Sequence, residues 1–399
     1  MREDMNNWRI FLFIGIVAGG CKKPYSPPVI DAPNSYLVVE GVINSGQDST
    51  IIKLNHTVKL SGTVNVNPEL NATVTVEGDD NTTYALTGTA NGEYVSAGLD
   101  LNNAHKYRLI IKTADNEYRS DFVPVLNTPD VDGVTYAVES DGVGIQLSTH
   151  DPQNKNKYYR WEYDETWVFT SAYQSIFKSN GDTVLIRDLV NDQIYTCWRT
   201  EHSSTIVLGS AARLSQAVIN NSRIAFLSRH SVKIRHKYSI LVRQYALTED
   251  AYNFWQNLKK NTEQLGSIFD AQPSQINGNI HSLTNPQEPV IGYVSVGTFT
   301  TKRAFVDQRN LPAWLDPIVP DASCKAKAYL YKYTDPNGGG IINQVDKYLN
   351  YNKTLINVDI PIDGIYMRGN PYPIGYSGAP PECVDCTLRG TNKQPDYWQ

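Results

Sequence analysis

The sequence predicts a mainly β protein, in which an N-terminal β-sandwich is followed by a larger β-rich domain with one clear helix. Three observations support this fold class. Tyrosine and tryptophan are abundant, with 25 and 7 residues, and aromatic residues favour the half-buried surface of a pleated sheet. Short segments of alternating apolar and polar residues recur between polar turns, which is the pattern of a sandwich. Residues 249–265 carry apolar side chains at helical spacing.

Length and charge narrow the class of protein further. The chain has 399 residues, enough for two or three domains. Hydrophobic residues make up 41% of it, so that a sizeable core can form, and the net charge is −5. Nucleic-acid binders normally concentrate basic residues on one face, and this mild negative charge excludes that class.

Residues 10–17 (IFLFIGIV) form the one segment apolar enough to enter a membrane. Eight residues fall far short of the roughly 20 that a membrane-spanning helix needs. Arg2 and Arg9 place positive charge before the segment, although two acidic residues dilute it. This arrangement is typical of the apolar core of a secretory signal peptide.

The apolar segment leads directly into Ala18, Gly19, Gly20 and Cys21. Small residues let the chain enter a signal peptidase as an extended strand, and a cysteine directly after the cleavage point can receive a diacylglycerol. We therefore predict that residues 1–20 are a lipoprotein signal peptide and that Cys21 is lipidated, with palmitate among its acyl chains. Each buried CH₂ group contributes about 0.8 kcal/mol, so that two or more chains anchor a protein stably. The alternative is an ordinary signal peptide followed by a chance cysteine.

Three further segments after the signal peptide follow from composition and turns. Residues 21–34 are rich in proline, which predicts a stiff, extended tether. Residues 35–128 are predicted to form the sandwich, and Pro129 marks a joint because proline biases the preceding residue towards an extended conformation. Residues 129–399 are predicted to form the β-rich second domain.

Within the first domain, the spacing of strands and turns predicts an immunoglobulin-like β-sandwich. Leu101, Tyr107 and Leu109 are similar to the pattern near the tyrosine corner of such sandwiches, so that Tyr107 is predicted to be a core residue. Residues 79–81 are predicted to form a hairpin turn, with an ion site as the alternative. The predicted strands are residues 36–44, 49–60, 72–77, 84–86, 92–95, 107–113 and 118–125.

The second domain carries the one clear helix, over residues 249–265. Thr248 can cap it, and the acidic residues 249–250 suit its positive N-terminal end. Its predicted buried stripe consists of Tyr252, Trp255, Leu258, Thr262 and Leu265. The predicted strands of this domain are residues 143–148, 158–170, 205–208, 224–227, 238–245, 290–296, 302–306 and 326–333.

The strand at residues 158–170 (YYRWEYDETWVFT) is strongly aromatic. Because successive side chains of a strand point to opposite faces, one face is predicted to carry Tyr159, Trp161, Tyr163, Glu165 and Trp167. The other face is predicted to carry Tyr158, Arg160, Glu162, Asp164 and Thr166. Two interpretations of the first face remain open: it packs in the core, or its four aromatic residues form a stacking platform for a sugar or a peptide.

The neighbouring acids Asp164 and Glu165 face opposite ways, so that they cannot act as a carboxylate pair. We expect one to point outward and the other to pair with an arginine.

After Cys21, four cysteines remain, at Cys197, Cys324, Cys383 and Cys386. An even number in an exported chain favours disulfides, and three pairings are possible. Half of a zinc site at residues 383–386 and free thiols are the alternatives.

Catalytic signatures are absent from the sequence. It contains neither the Gly-x-Ser-x-Gly motif of serine hydrolases nor the His-Glu-x-x-His motif of zinc proteases. We therefore predict no catalytic residues, no cofactor, no bound metal and a protein that is not an enzyme.

A series of motifs covers both predicted domains: Cys21 with the tether, 161–169, 197–198, 238–247, the helix with 266–274, 278–280, 291–293 with 302–303, 382–386 and 395–398. These motifs resemble a family of outer-membrane lipoproteins from Bacteroidetes-type bacteria, the domain of unknown function DUF4249. The resemblance implies an outer-membrane lipoprotein that is often encoded near TonB-dependent transporters and has no established activity. Surface-exported lipoproteins of these bacteria tend to carry acids after the cysteine, whereas this chain has Lys22 and Lys23. The periplasmic and the cell-surface face therefore both remain open.

The leading functional hypothesis is a binding or accessory subunit of a TonB-dependent outer-membrane transporter, with a glycan or a peptide as ligand. One alternative is a structural or adhesive protein of the cell envelope. The other is a hydrolase whose site is assembled from residues far apart in the sequence.

Overall fold

The structure is a computed structural model. It describes residues 35–58, 66–263, 278–313, 324–336, 338–350 and 358–398. The predicted signal peptide, Cys21 and the tether therefore lie outside the described residues. Among the helices that are described, none is both long and apolar enough to cross a membrane.

Strands dominate the described residues, which confirms the mainly β fold class. The first strands are β1 (Leu37–Asn44), β2 (Thr50–His56), β3 (Thr73–Gly78), β4 (Thr83–Gly88), β5 (Glu93–Ser96), β6 (Lys106–Lys112), β7 (Glu117–Ser120), β8 (Val123–Leu126), β9 (Val131–Glu139), β10 (Gly142–His150), β11 (Tyr158–Thr170), β12 (Phe177–Ser179) and β13 (Val184–Ile186).

The later strands are β14 (Thr196–His202), β15 (Val207–Ser210), β16 (Val218–Ser228), β17 (Lys237–Leu247), β18 (Ile280–Ser282), β19 (Ile291–Gly292), β20 (Ser295–Gly297), β21 (Phe299–Asp307), β22 (Lys327–Leu330), β23 (Tyr333–Thr334), β24 (Ile341–Ile342), β25 (Ile360–Tyr366) and β26 (Pro373–Ala379). The α-helices are α1 (Glu249–Glu263), α2 (Gln344–Tyr348) and α3 (Pro381–Val384). Short 3₁₀ helices occupy Val232–Ile234, Gln308–Asn310 and Cys386–Leu388.

The first module is a β-sandwich that closes on itself. Its described strands follow the order β18-β7-β6-β3-β4-β5-β2-β1-β20-β8, and β6 also pairs with β8. Alternation sets which side chains face inward: Val74 and Val76 of β3 are fully buried, whereas Thr73 is exposed. Tyr107 is buried, and its hydroxyl accepts a hydrogen bond from Asn102 N at 3.0 Å. Tyr107 is therefore a core tyrosine, and its hydroxyl meets upstream backbone as in a tyrosine corner.

Residues 280–297 complete this first sandwich. The domain prediction assigned them to the second domain, but β19 and β20 pair in parallel with β1, and β18 pairs with β7. Gly292 lets β19 approach β1, because a Cβ atom there would lie 2.3 Å from the carbonyl oxygen of Val39. Parallel pairing between segments 250 residues apart leaves no local sequence signal, which explains why the linear division missed it.

The second module is also built from two packed sheets. Sheet one has the order β16-β10-β9, and sheet two has the order β14-β11-β17-β21, with β15 also on β11. Their shared core includes Val143 and Leu147 of β10 together with Trp161, Ile240 and Val242 of the facing sheet. We call the sheet that contains β11 the central sheet, since β1, α1 and the C-terminal residues all approach it.

The joint between the modules is held by hydrogen bonds. The carbonyl of Pro129 accepts from Gln244 Nε2 and Thr300 Oγ1, both at 2.9 Å. Gln244 is fully buried, and its Oε1 accepts from the indole N–H of Trp161 at 2.8 Å. The joint is therefore bonded directly into the core of the second module.

A smaller unit near the C terminus combines the sheet β22-β26-β25 with α2 and α3. Cys324 is bonded to Cys383, and Cys197 of β14 is bonded to Cys386. The prediction of disulfides is confirmed, with this one of the three pairings. The zinc alternative is wrong, because both cysteines of 383–386 are consumed in disulfide bonds.

Candidate ligand-binding cleft

The aromatic residues proposed as a stacking platform lie in the core. Tyr159, Trp161, Tyr163 and Trp167 are 0, 1, 9 and 4% exposed, and they pack between the two sheets of the second module. A sugar or peptide cannot reach the faces of these rings. The platform interpretation is therefore wrong and the core interpretation is right, because this face of β11 is the one covered by the opposite sheet.

The acid on the aromatic face belongs to a buried charged cluster. Glu165 accepts from Lys233 Nζ at 2.6 Å and from the Tyr238 hydroxyl at 2.8 Å. Lys233 also lies 3.1 Å from Glu201. Burial opposes the charge of Lys233, but these carboxylates outweigh it and raise its pKa. Glu165 thus anchors a lysine inside the module and is unavailable to a ligand.

Its neighbour Asp164 points to the opposite face and pairs with an arginine, as expected for one of the two acids. Arg243 Nη2 donates to Asp164, and His202 Nδ1 lies 2.5 Å from the same carboxylate. Burial opposes ionisation of Asp164, but these two partners outweigh it and lower its pKa. The expectation that the other acid points outward is wrong, since Glu165 is buried.

The opposite face of β11 lines a cleft of about 750 Å³, within the size range of small-molecule sites. One wall is the outer face of the first sandwich, with Val38, Glu40, Val42, Ile51 and Ile291. The other wall combines the central sheet with α1 and the segment after β14. Its side chains include Arg160, Glu162, Arg243, Tyr245, Phe299 and Ser204, with Phe254, Trp255, Leu258 and Ile206 above them.

Helix α1 is fixed by its cap and by its buried side. Thr248 Oγ1 accepts from Ala251 N at 3.2 Å, and Glu249 and Asp250 occupy the first turn. Both agree with the helix start that the sequence predicts. Near the other end, Lys259 Nζ donates to the carbonyl of Ile206 at 2.6 Å. These bonds hold the helix over one end of the central sheet.

The orientation of α1 differs from the predicted stripe. Its buried residues are Ala251 and Phe254, whereas Trp255 and Leu258 are only partly buried and line the cleft. The stripe predicted from Tyr252, Trp255 and Leu258 is therefore rotated by about one residue. Residues 264–265, where the helix was predicted to end, lie outside the described residues.

Arg160 is the most enclosed charge of the cleft lining. It is 9% exposed, and its guanidinium lies 4.0 Å from the ring centre of Trp255 and 5.2 Å from that of Tyr245. Its Nη2 pairs with Glu162 at 2.9 Å. The buried Nε has no hydrogen-bond partner among the described residues. Buried polar groups are normally paired, so this N–H needs an acceptor, as does the buried Nδ2 of Asn44 in the same lining.

Sequence reasoning placed Arg160 and Glu162 on the non-aromatic face of β11 but gave them no role. The strand register brings Arg160 opposite Tyr245 and Glu162 opposite Arg243. The alternation of Arg160 and Glu162 in the strand was the one feature of the sequence that could have indicated a role for these residues. The wall contributed by β1 had no signal, because it comes from another module.

Asp79, Asp80 and His105 form a small exposed group at the hairpin between β3 and β4. Their ligand atoms lie within 4.8 Å of one another. Asp79 Oδ1 lies 2.7 Å from His105 Nδ1, and Asp80 Oδ1 accepts from Thr82 N at 3.0 Å. These bonds are those of a stabilised turn, which is the predicted interpretation of residues 79–81.

Comparison with protein families gives one match that covers most of the chain. A family model described as "Domain of unknown function (DUF4249)" matches residues 22–303. No curated protein matches the chain.

Three solved structures are loosely similar, each covering 54% of this chain. A two-domain fibronectin type-III segment of chicken tenascin is 11% identical, with 94% of that chain covered and a TM-score of 0.15. The adhesin InvE of Yersinia pseudotuberculosis is 13% identical, with 55% of that chain covered and a TM-score of 0.15. A candidate carbohydrate-binding protein from Bacteroides uniformis is 9% identical, with 91% of that chain covered and a TM-score of 0.13.

Proposed function

The chain belongs to the DUF4249 family, and on that premise we propose that it is a lipid-anchored outer-membrane protein that binds a ligand in the cleft. It does so as an accessory subunit of a TonB-dependent transporter. It binds its ligand without converting it.

The cleft is the observation that carries the proposal. It lies between two modules, where small-molecule sites are commonly found, and it joins apolar walls to a few charged groups. Arg160 and Glu162 supply a donor and an acceptor, while Val42 and Ile51 face them from the first sandwich. Sites that bind and orient a ligand have this composition.

A blocked cleft tests the binding role. Ile51 lines the cleft and is 49% exposed, so that Ile51→Trp adds bulk to the cleft without entering a core. Val138, in β9 and outside the cleft lining, is 45% exposed and gives the matched control Val138→Trp. Calorimetric screening of the full-length protein against defined oligopeptides and oligosaccharides should find a ligand. Its affinity should fall at least tenfold in Ile51→Trp and stay unchanged in Val138→Trp.

Equal affinities in the two variants would show that the ligand binds elsewhere. Mass analysis of the bound compound after release should return it intact. A converted compound would instead favour the hydrolase alternative.

The anchor and the partner are tested on cells. The mass of the N-terminal peptide of the mature protein should show acyl groups on Cys21, and an unmodified peptide would refute the anchor. The tagged protein, solubilised in mild detergent, should enrich a TonB-dependent transporter. A Cys21→Ser variant, which is not anchored, is the control. If it enriches the transporter equally well, contact between the protein and the transporter does not require the membrane anchor.

A further inference from the structure

The aliphatic part of the cleft indicates what kind of ligand it takes. Six of its lining side chains are branched aliphatics that come from both modules: Val38, Val42, Ile51, Ile206, Leu258 and Ile291. Such walls gain free energy by removing alkyl groups from water, at about 25 cal/mol per Å² of apolar surface. The hydroxyl groups of an oligosaccharide would lose hydration against these walls without gaining partners.

The aromatic side chains of the cleft are already engaged with other groups. The guanidinium of Arg160 covers one face of Trp255 at 4.0 Å, and the ring of Phe254 meets Trp255 nearly edge-on, at 83°. Arg160 also lies over the ring of Tyr245, whose centre is 5.8 Å from the ring centre of Phe299. These contacts position an arginine, and they take up ring surface on which a sugar would stack.

The positioned arginine has donor capacity left. A guanidinium carries five N–H donors in a fixed fork that fits a carboxylate. Glu162 uses Nη2 of Arg160, while the buried Nε has no partner among the described residues. Glu162 is 40% exposed, so that its carboxylate can move into water when a ligand carboxylate takes its place.

The charges of the cleft lining are balanced and lie on both walls. Arg160 and Arg243 supply two positive charges, and Glu40 and Glu162 supply two negative ones. Glu40 is exposed on the wall of the first sandwich, across from the arginines of the central sheet. Balanced charges fit a ligand that bears one positive and one negative group, and they disfavour a polyanion.

From the aliphatic walls, the positioned Arg160 and the opposing Glu40, we propose that the cleft binds a short peptide with apolar side chains and free termini. Arg160 takes the terminal carboxylate, Glu40 takes the terminal amine, and the aliphatic walls take the side chains. This assignment rests on the proposed binding role of the cleft.

Tripeptides of defined chemistry test the assignment by calorimetry on the full-length protein. Trileucine should bind at least tenfold more tightly than triglycine, because only its side chains reach the aliphatic walls. Trileucine amide, which lacks the carboxylate, should bind at least tenfold more weakly than trileucine. Arg160→Met should abolish that difference. Arg223→Met is the matched control, since Arg223 also pairs with a glutamate and lies near a ring, Phe226, but on another sheet.

An exposed residue covers the case in which Arg160→Met fails to fold. Glu40→Gln should weaken trileucine binding at least fivefold and leave the binding of N-acetyl-trileucine unchanged. The ligand class is overturned if trileucine binds no better than maltotriose or triglycine, or if neither terminus affects affinity. If maltotriose binds and Ile51→Trp abolishes that binding, the cleft keeps its proposed role and only the peptide assignment falls. If no compound of either class depends on Ile51, the binding role itself falls.

Discussion

The two faces of β11 alternate residue by residue, yet they have opposite surroundings. The aromatic face, with Trp161 at its centre, is covered by the sheet of β10 and excludes water. The other face, with Arg160 at the corresponding position, lines the cleft. On β11, therefore, the aromatic residues mark the core, and the charged residues between them mark the cleft. A large ring supplies more buried apolar area than any other side chain, so that a small sheet with one covered face needs such rings there.

The largest expected difference between the two faces is in stability. Trp161→Ala should lower the free energy of unfolding by about 3–5 kcal/mol, because it empties a packed core site and leaves the buried Gln244 Oε1 without its indole donor. Arg160→Ala should cost about 1–2 kcal/mol, since it removes stacking and one partly exposed ion pair. Urea unfolding with intact disulfides, followed by circular dichroism, measures both.

Trp161→Phe separates the two contributions in Trp161→Ala. This variant keeps a large aromatic ring and removes the indole donor. The loss in the free energy of unfolding should therefore be only about 1–3 kcal/mol. Equal losses for Trp161→Ala and Arg160→Ala would mean that both faces act as core.

The adjacent acids Asp164 and Glu165 extend the comparison of the two faces, with smaller expected changes in the free energy of unfolding. Glu165→Ala should cost about 3 kcal/mol, because it leaves Lys233 without its closest carboxylate and the buried Tyr238 hydroxyl without its acceptor. Asp164→Ala should cost about 1 kcal/mol, because its partners His202 and Arg243 are 80 and 30% exposed and can turn to water. Thermal and urea unfolding of both variants would give the order. The reverse order would show that the charges of the cleft face contribute more to stability than the buried cluster.

The sequence predicted the fold more completely than the site, for physical reasons visible in single elements. Strand β11 was predicted with the boundaries it has, because thirteen residues of aromatic and β-branched character have one favourable conformation. The start of α1 followed from Thr248 and two acids, which act within one helical turn. Both predictions depend only on residues that are close to one another in the sequence.

The cleft depends on contacts that no local pattern contains. Val42 and Ile51 face the central sheet only because β1 also pairs with β19 and β20, about 250 residues later in the chain. Trp255 turns towards the cleft because Phe254 takes the buried position on α1. The charges at Arg160 and Glu162 could be assigned to a face of β11, but the opposite wall could not be assigned to them. The complete cleft could therefore not be predicted from the sequence, because it depends on the pairing of strands that are far apart in the chain.

The smallest expected effect concerns pH and again separates the two faces. The pKa of Asp164 in the folded protein is lowered from its ordinary value of 3.8, since Arg243 and His202 outweigh the cost of burial. A carboxyl with a lowered pKa stabilises the fold above its unfolded pKa and loses that contribution as pH falls through its folded pKa. The native protein should therefore exceed Asp164→Asn in stability by about 1 kcal/mol at pH 5–7.

This margin should shrink below pH 4, where the unfolded carboxyl takes up protons, and vanish once the folded carboxyl is protonated as well. Urea midpoints at half-unit steps from pH 2.5 to 7 would trace it. Arg243→Gln is the matched background, because it removes the arginine that donates to Asp164 and should flatten the pH dependence of the Asp164→Asn difference. A margin that persists unchanged to pH 2.5 would mean that Asp164 contributes through packing or neutral hydrogen bonds. The cleft face would then resemble the aromatic face in depending on contacts that do not titrate.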